Sequence, residues 1–165
     1  MRSFAWYGLP PLVWMALIWG ASSDLGSADN TAGPIAWIVT ALFPWATTAQ
    51  IELAHGALRK FGHLTEYAIL AALWFRALYA GRRLASTESA LGALAISVSW
   101  AMADELHQSF VPSRTASFLD VAFDAIGAAL CLFIVARTVS KLPPELELEP
   151  RIEGVAEPVA EEVDA

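Results

Sequence analysis

The chain has 165 residues and a formal net charge of −7, with 56% of its residues hydrophobic and 16% charged. A soluble domain averages roughly 45–50% apolar and about 25% charged, so this composition argues against a water-soluble globule and for a membrane protein. The acidic balance, with no basic stripe, excludes a nucleic-acid-binding protein.

The charge is unevenly spread. From Lys141 onward, eight carboxylates (Glu145, Glu147, Glu149, Glu153, Glu157, Glu161, Glu162 and Asp164) face only Lys141 and Arg151, a net of −6, which leaves the rest nearly neutral. This stretch is rich in Pro and Glu and has no periodic apolar face. It cannot bury enough surface to offset its ordering entropy. It is therefore predicted to be a disordered acidic tail over 141–165, following a transmembrane domain over 1–140. The single cysteine, Cys131, sits in an apolar stretch and reads as a small buried hydrophobe.

A membrane-spanning helix needs about 20 mostly apolar residues. The first such segment is predicted over 4–22, with Pro10 and Pro11 near its start, where proline is best tolerated. Only Arg2 precedes it as a basic residue, and Trp19-Gly20-Ala21-Ser22-Ser23 is a poor cleavage site, so it reads as a retained span rather than a signal peptide. Asp24, Gly26, Asp29, Asn30 and Gly33 then read as loop. The apolar stretch 34–45 is too short to cross and suits an interfacial or re-entrant piece, with Trp37 and Trp45 at headgroup level. Three further spans are predicted over 61–80, 89–108 and 118–137. The expected fold is all-α: a polytopic membrane protein with a four-helix transmembrane bundle and a short interfacial or re-entrant segment in its first outer loop.

With four spans, both termini lie on one side. That side collects Arg2, Arg76, Arg82, Arg83, Arg137 and Lys141, against Arg59, Lys60 and Arg114 on the other. The excess predicts a multi-pass protein of the cell membrane with both termini in the cytoplasm.

On this topology the ionisable residues gather at the outer end. Asp24 closes the first span. Arg59, Lys60, His63 and Glu66 open the second. Asp104, Glu105, His107 and Gln108 close the third, Arg114 lies in the short outer loop, and Asp120 and Asp124 open the fourth. Lys60, His63 and Tyr67 fall at i, i+3 and i+7 on one helical face. Asp104 and Gln108 are four apart, as are Asp120 and Asp124, and Gly127 continues the second stripe, where it lets another helix approach closely. Asp124 would sit about 6 Å deeper than Asp120 at 1.5 Å per residue. A charge at mid-membrane costs roughly 2.5–3.5 kcal/mol, so Asp124 should pair with Arg114, Lys60 or His63, or stay protonated. The plainer reading is that these charges cap helices: Asp120 near a helix N-terminus is favoured by the dipole alone. His107 reads as a surface residue.

No metal or other cofactor is expected. Two histidines and several carboxylates could hold a divalent ion, but HExxH and CxxC spacings and a Gly-rich phosphate loop are all missing from the sequence.

The segments Arg59-Lys60-Phe61-Gly62-His63-Leu64-Thr65-Glu66-Tyr67 and Asp104-Glu105-Leu106-His107-Gln108-Ser109-Phe110-Val111-Pro112-Ser113-Arg114, followed by Asp120, Asp124 and Gly127-Ala128, resemble the VanZ-like membrane proteins. The Ser22-Ser23 pair fits as well. The likeness covers roughly 9–135. It implies a functional cluster of Lys60, His63, Tyr67, Asp104, Glu105, Gln108, Arg114, Asp120 and Asp124. Ser113 stands where such proteins often have Gly, and Asp24 where they often have Gln. The resemblance implies a cell-envelope role of the antibiotic-resistance type, since the family is named for a protein that raises resistance to the glycopeptide teicoplanin.

Three functions follow as expectations. The first is an accessory protein whose outward-facing polar pocket binds membrane lipids, in particular an anionic lipid or a lipid-linked cell-wall precursor. The second is an intramembrane enzyme with a His/Asp acid–base site acting on a lipid-linked substrate. The third is a small proton-coupled transporter, which the clustering of acids at one end makes a poor fit.

Overall fold

The computed structural model describes residues 2–23, 27–82, 84–114, 116–139 and 141. Apart from Lys141, the predicted acidic tail lies outside the described residues, as does Asp24. The described residues form five α-helices and no strand: α1 (Arg2–Ala21), α2 (Ala28–Leu42), α3 (Thr48–Arg76), α4 (Ser86–Gln108) and α5 (Phe118–Val139). A π-helical turn, Ala77–Gly81, prolongs α3. The fold is all-α as expected. By length and composition, α5 is the one helix among the described residues that qualifies as a membrane span, so the four-span arrangement is taken up below as a proposal.

Several boundaries move. α1 begins at Arg2, which puts Pro10 and Pro11 in its third turn rather than its first. Prolines there lack the amides that would bond the Trp6 and Tyr7 carbonyls. Pro11 is fully buried, so packing offsets the missing bond. Asp29, Asn30 and Gly33, read as loop from their types, lie inside α2. Ser27 caps that helix by accepting the Asn30 amide at 3.3 Å and is itself fully buried. α2 has 15 residues, about 22 Å at 1.5 Å per residue, well short of a bilayer core of about 30 Å.

The largest shift is at α3, which starts thirteen residues before the predicted 61. The stretch 48–60 alternates polar and apolar residues and offers no long apolar run, yet it carries a strong start signal. Thr47 Oγ1 accepts the Gln50 amide at 3.4 Å while Gln50 Oε1 accepts the Thr47 amide at 2.9 Å. This reciprocal pair satisfies two otherwise orphaned donors. α3 is thus about 43 Å long at 1.5 Å per residue. α2 packs back along it.

α3 is the centre of the fold. Its most extensive interface is with α5, followed by its contact with α4. Gly127 of α5 makes the first interface possible. A Cβ there would fall on the Leu64 carbonyl group and lie 3.0 Å from the Leu64 Cα, so only glycine lets the two backbones meet. Ala71, Phe75, Ala93, Ala128 and Leu132 fill the core between α3, α4 and α5. A second cluster of Ile18, Tyr67, Leu70 and Ala101 joins α1 to α3 and α4. Alanines make up most of the first cluster, which allows close helix approach without interdigitating bulk. Trp14 Nε1 donates to the Glu66 carbonyl at 2.9 Å and ties α1 to the α3 backbone.

Candidate functional site

The ends of α1, α4 and α5 meet the middle of α3 at one level, and a cavity of about 210 Å³ opens there. Its wall includes Arg59, Gly62, His63 and Glu66 of α3, Ala21 and Ser22 at the end of α1, Thr31 of α2, and Arg114 from the loop after α4. The α3 residues stand at i, i+3, i+4 and i+7, a single face of the helix.

Two cavity-lining side chains are backed by buried carboxylates. His63 Nδ1 lies 3.3 Å from Asp124 Oδ1, with the two side chains 12% and 3% exposed. The approach is a close contact rather than a hydrogen bond: His63 Nδ1 and Asp124 Oδ1 are both buried without a hydrogen-bond partner among the described residues. Ser22 Oγ donates to Asp104 Oδ2 at 2.6 Å, and Gln108 Nε2 donates to the same oxygen at 3.0 Å. Asp104 Oδ1 and the Tyr67 hydroxyl are buried and have no hydrogen-bond partner among the described residues. Tyr67 is fully buried and within electrostatic reach of Asp104, Asp124, Glu66 and Glu105.

Arg114 closes the wall. Its Nη2 donates to the Ala21 carbonyl at 2.6 Å, and Nε and Nη2 both reach the Ser23 carbonyl at 3.3 Å. These are orphan carbonyls at the end of α1, where a cation also complements the helix dipole. Burial holds the Arg114 guanidinium below its ordinary value, and the like charge of Arg59 pushes the same way; Asp104, Glu66 and Glu105 oppose both. The neighbouring loop is fixed from the other side as well: Glu105 accepts the Ser117 amide just before α5.

A model of the VanZ/LLP1 family matches residues 8–139. The chain belongs to the VanZ/LLP1 family. No curated protein and no solved structure matches it. Membership in the VanZ/LLP1 family, together with the apolar α5, points to a membrane protein.

Of the nine residues marked in the sequence, His63 and Arg114 line the cavity, and Asp104 and Asp124 stand directly behind it. Tyr67, Gln108 and Glu105 complete the buried layer. Lys60 lies apart: it is exposed, with Nζ 4.8 Å above the Phe123 ring on the flank between α3 and α5. Asp120, partly buried, adds its charge to the surroundings of His63 and Glu105 without lining the cavity. His107, read as a surface residue, is partly buried and stacks on Trp19 with ring centroids 4.1 Å apart.

The cavity stripe of α3 is thus one residue removed from the Lys60, His63, Tyr67 stripe, with His63 common to both. Arg59 and Glu66 were visible at four-residue and three-residue spacing from His63. Thr31 and the cavity role of Ser22 carried no signal, because they depend on where α2 and the end of α1 land. Among the described residues, no group of three His, Cys, Asp or Glu side chains is arranged to hold a metal ion.

Proposed function

We propose that this VanZ/LLP1 protein is a multi-pass membrane protein whose cavity binds a phosphate-bearing lipid headgroup on the extracytoplasmic side. α1, α3, α4 and α5 serve as the spans, and both termini face the cytoplasm. The observation that carries this reading is the placing of Arg59, Arg114 and His63 around one cavity, with Glu66 the one carboxylate among the described residues of its wall. Guanidinium is the side chain best matched to phosphate; Arg114, whose Nε and Nη2 donate to the carbonyls at the end of α1, contributes its charge rather than that fork. About 210 Å³ is below the 300–1,000 Å³ of sites for drug-sized ligands, which suits a headgroup with its acyl or prenyl chains left in the bilayer. The basic residues Arg76, Arg82, Arg137 and Lys141 at the opposite end support the orientation.

The test uses the full chain in nanodiscs. Binding of soluble short-chain phosphatidic acid and short-chain phosphatidylcholine is measured by calorimetry for the native protein and for Arg59→Gln. Preference for the phosphate monoester, weakened at least tenfold in Arg59→Gln, supports the reading. Equal affinity for both lipids defeats it. Labelling of cysteines introduced at position 58 and at position 141 from either side of sealed vesicles checks the orientation; both positions on one side would overturn it.

A further inference from the structure

At its far end α3 changes its winding. Ala77–Gly81 forms a π-helical turn, a rare device that occurs mostly as a single bulge and often at a functional site. A second cavity, of about 240 Å³, lies between this turn and the early part of α1. Its wall includes Tyr7 of α1, Trp74 of α3, Leu78 and Gly81 of the π-turn, and Arg82 just beyond it. Leu78 is about 24 Å along the helix from Gly62 of the first cavity, at 1.5 Å per residue, most of the depth of a bilayer core. The wall is fixed from both sides. A Cβ at Gly81 would lie 3.0 Å from the Tyr7 Cβ, and one at Gly92 of α4 would lie 2.9 Å from the Leu78 Cδ1. Glycine at each place gives the wall residue room to sit where it does.

The polar groups here are donors and cations. Trp74 Nε1 is buried and has no hydrogen-bond partner among the described residues, and an indole can only donate. Arg82 is exposed, and Arg76, also exposed, lays its guanidinium 4.9 Å from the centre of the Tyr7 ring. Neither arginine has a carboxylate partner among the described residues, and no acid stands among the described residues of the wall. We infer that this second cavity binds an anionic phospholipid of the leaflet opposite the first cavity, with its phosphate at Arg82 and Arg76 and an ester carbonyl at Trp74 Nε1. This rests on the four-span reading above and not on what the first cavity holds. Under the proposed orientation that leaflet is the cytoplasmic one, whose anionic lipids attract basic residues at the membrane edge. Trp74 lies about two helical turns inward of Arg82, the order in which a phospholipid presents its esters and its phosphate. A soluble phosphate would suit the arginines. It would leave the indole N–H without an acceptor in an apolar wall, which is costly.

The experiment titrates the full chain in detergent micelles with phosphatidylglycerol and counts bound lipids by native mass spectrometry. Phosphatidylcholine and soluble glycerol 3-phosphate are the comparison arms. All variants carry Arg59→Gln, so that the first cavity does not dominate the count. One phosphatidylglycerol is expected to remain bound in that background. Adding Arg82→Gln, an exposed change that leaves the fold alone, should weaken it about tenfold or more. Adding Trp74→Phe, which keeps an aromatic ring and loses the N–H, should weaken it about threefold or more. Arg137→Gln removes a guanidinium that lies over Phe133 on α5, at the same end of the bundle, and should change affinity less than twofold. Equal losses in Arg82→Gln and Arg137→Gln would reveal general surface attraction and overturn the site. So would equal binding of phosphatidylcholine, or displacement of the lipid by an equal concentration of glycerol 3-phosphate. If Arg82→Gln binds as its parent does, this inference falls, while the first cavity is judged on Arg59→Gln alone. The four-span reading is tested separately by the cysteine labelling above.

Discussion

Asp124 Oδ1 of α5 lies 3.3 Å from His63 Nδ1 of α3, and the carboxylate side chain is only 3% exposed. An acid so placed is tolerable only with its partner present. Breaking a buried pair by removing one member costs about 3–5 kcal/mol. His63→Ala and Asp124→Ala should each destabilise the protein by roughly that amount. The double variant should lose clearly less than the two losses combined. Denaturation in detergent micelles measures all three, and simple additivity would show that the two groups do not interact.

Gly127 and Gly62 form a matched pair of opposites. A Cβ at Gly127 falls on the Leu64 backbone, whereas one at Gly62 meets nothing within 4 Å. Gly127→Ala should therefore destabilise by about 1–3 kcal/mol through overpacking. Gly62→Ala should be neutral or stabilise by about 0.5–1 kcal/mol, since alanine restricts the unfolded helix backbone. Thermal melting of the two variants side by side decides the matter, and a melting point for Gly127→Ala equal to native would show the helices to be further apart.

Arg114 holds the end of α1 through the carbonyls of Ala21 and Ser23. Hydrogen bonds to a charged group are worth about 1.5–3 kcal/mol each way they are lost. Arg114→Lys keeps the charge but not the fork, so it should restore only part of the headgroup affinity lost in Arg114→Ala. Hydrogen exchange at the Ser22 amide, which bonds Ile18 across the last turn, should speed up in both variants. Exchange unchanged from native in Arg114→Ala would remove the tether.

The Thr47–Gln50 capping box is far from the cavity in sequence and local in effect. Thr47→Ala should cost about 1 kcal/mol, raise exchange at the Gln50 amide and leave headgroup affinity unchanged. A loss of affinity in this variant would mean that the start of α3 and the cavity are coupled.

The sequence made the fold class legible at the helices with a continuous apolar run. The α4 end at Gln108 and the α5 start at Phe118 fall at the predicted positions. The start of α3 did not, because residues 48–60 are amphipathic, and hydropathy registers apolar runs rather than faces. The same difference explains the site. Asp124 had three candidate partners in sequence, and only the helix rotation selects His63. Lys60 shares the polar segment with Arg59, but about 100° of helix rotation per residue turns it to the Phe123 flank. The role of Ser22 waited on knowing that α1 ends beside Asp104.

The contact between Gly127 and Leu64 makes α3 and α5 a keel. Backbones that touch have no side chains to re-pack between them, so the two helices travel together. The other border of the cavity is stitched by side chains alone: Trp14 to the Glu66 carbonyl, Ser22 to Asp104, Arg114 to the tail of α1. Rotamers can change where backbones cannot. Whatever motion admits a guest is therefore hinged on α1, and it leaves the imidazole and its carboxylate riding undisturbed on the rigid half.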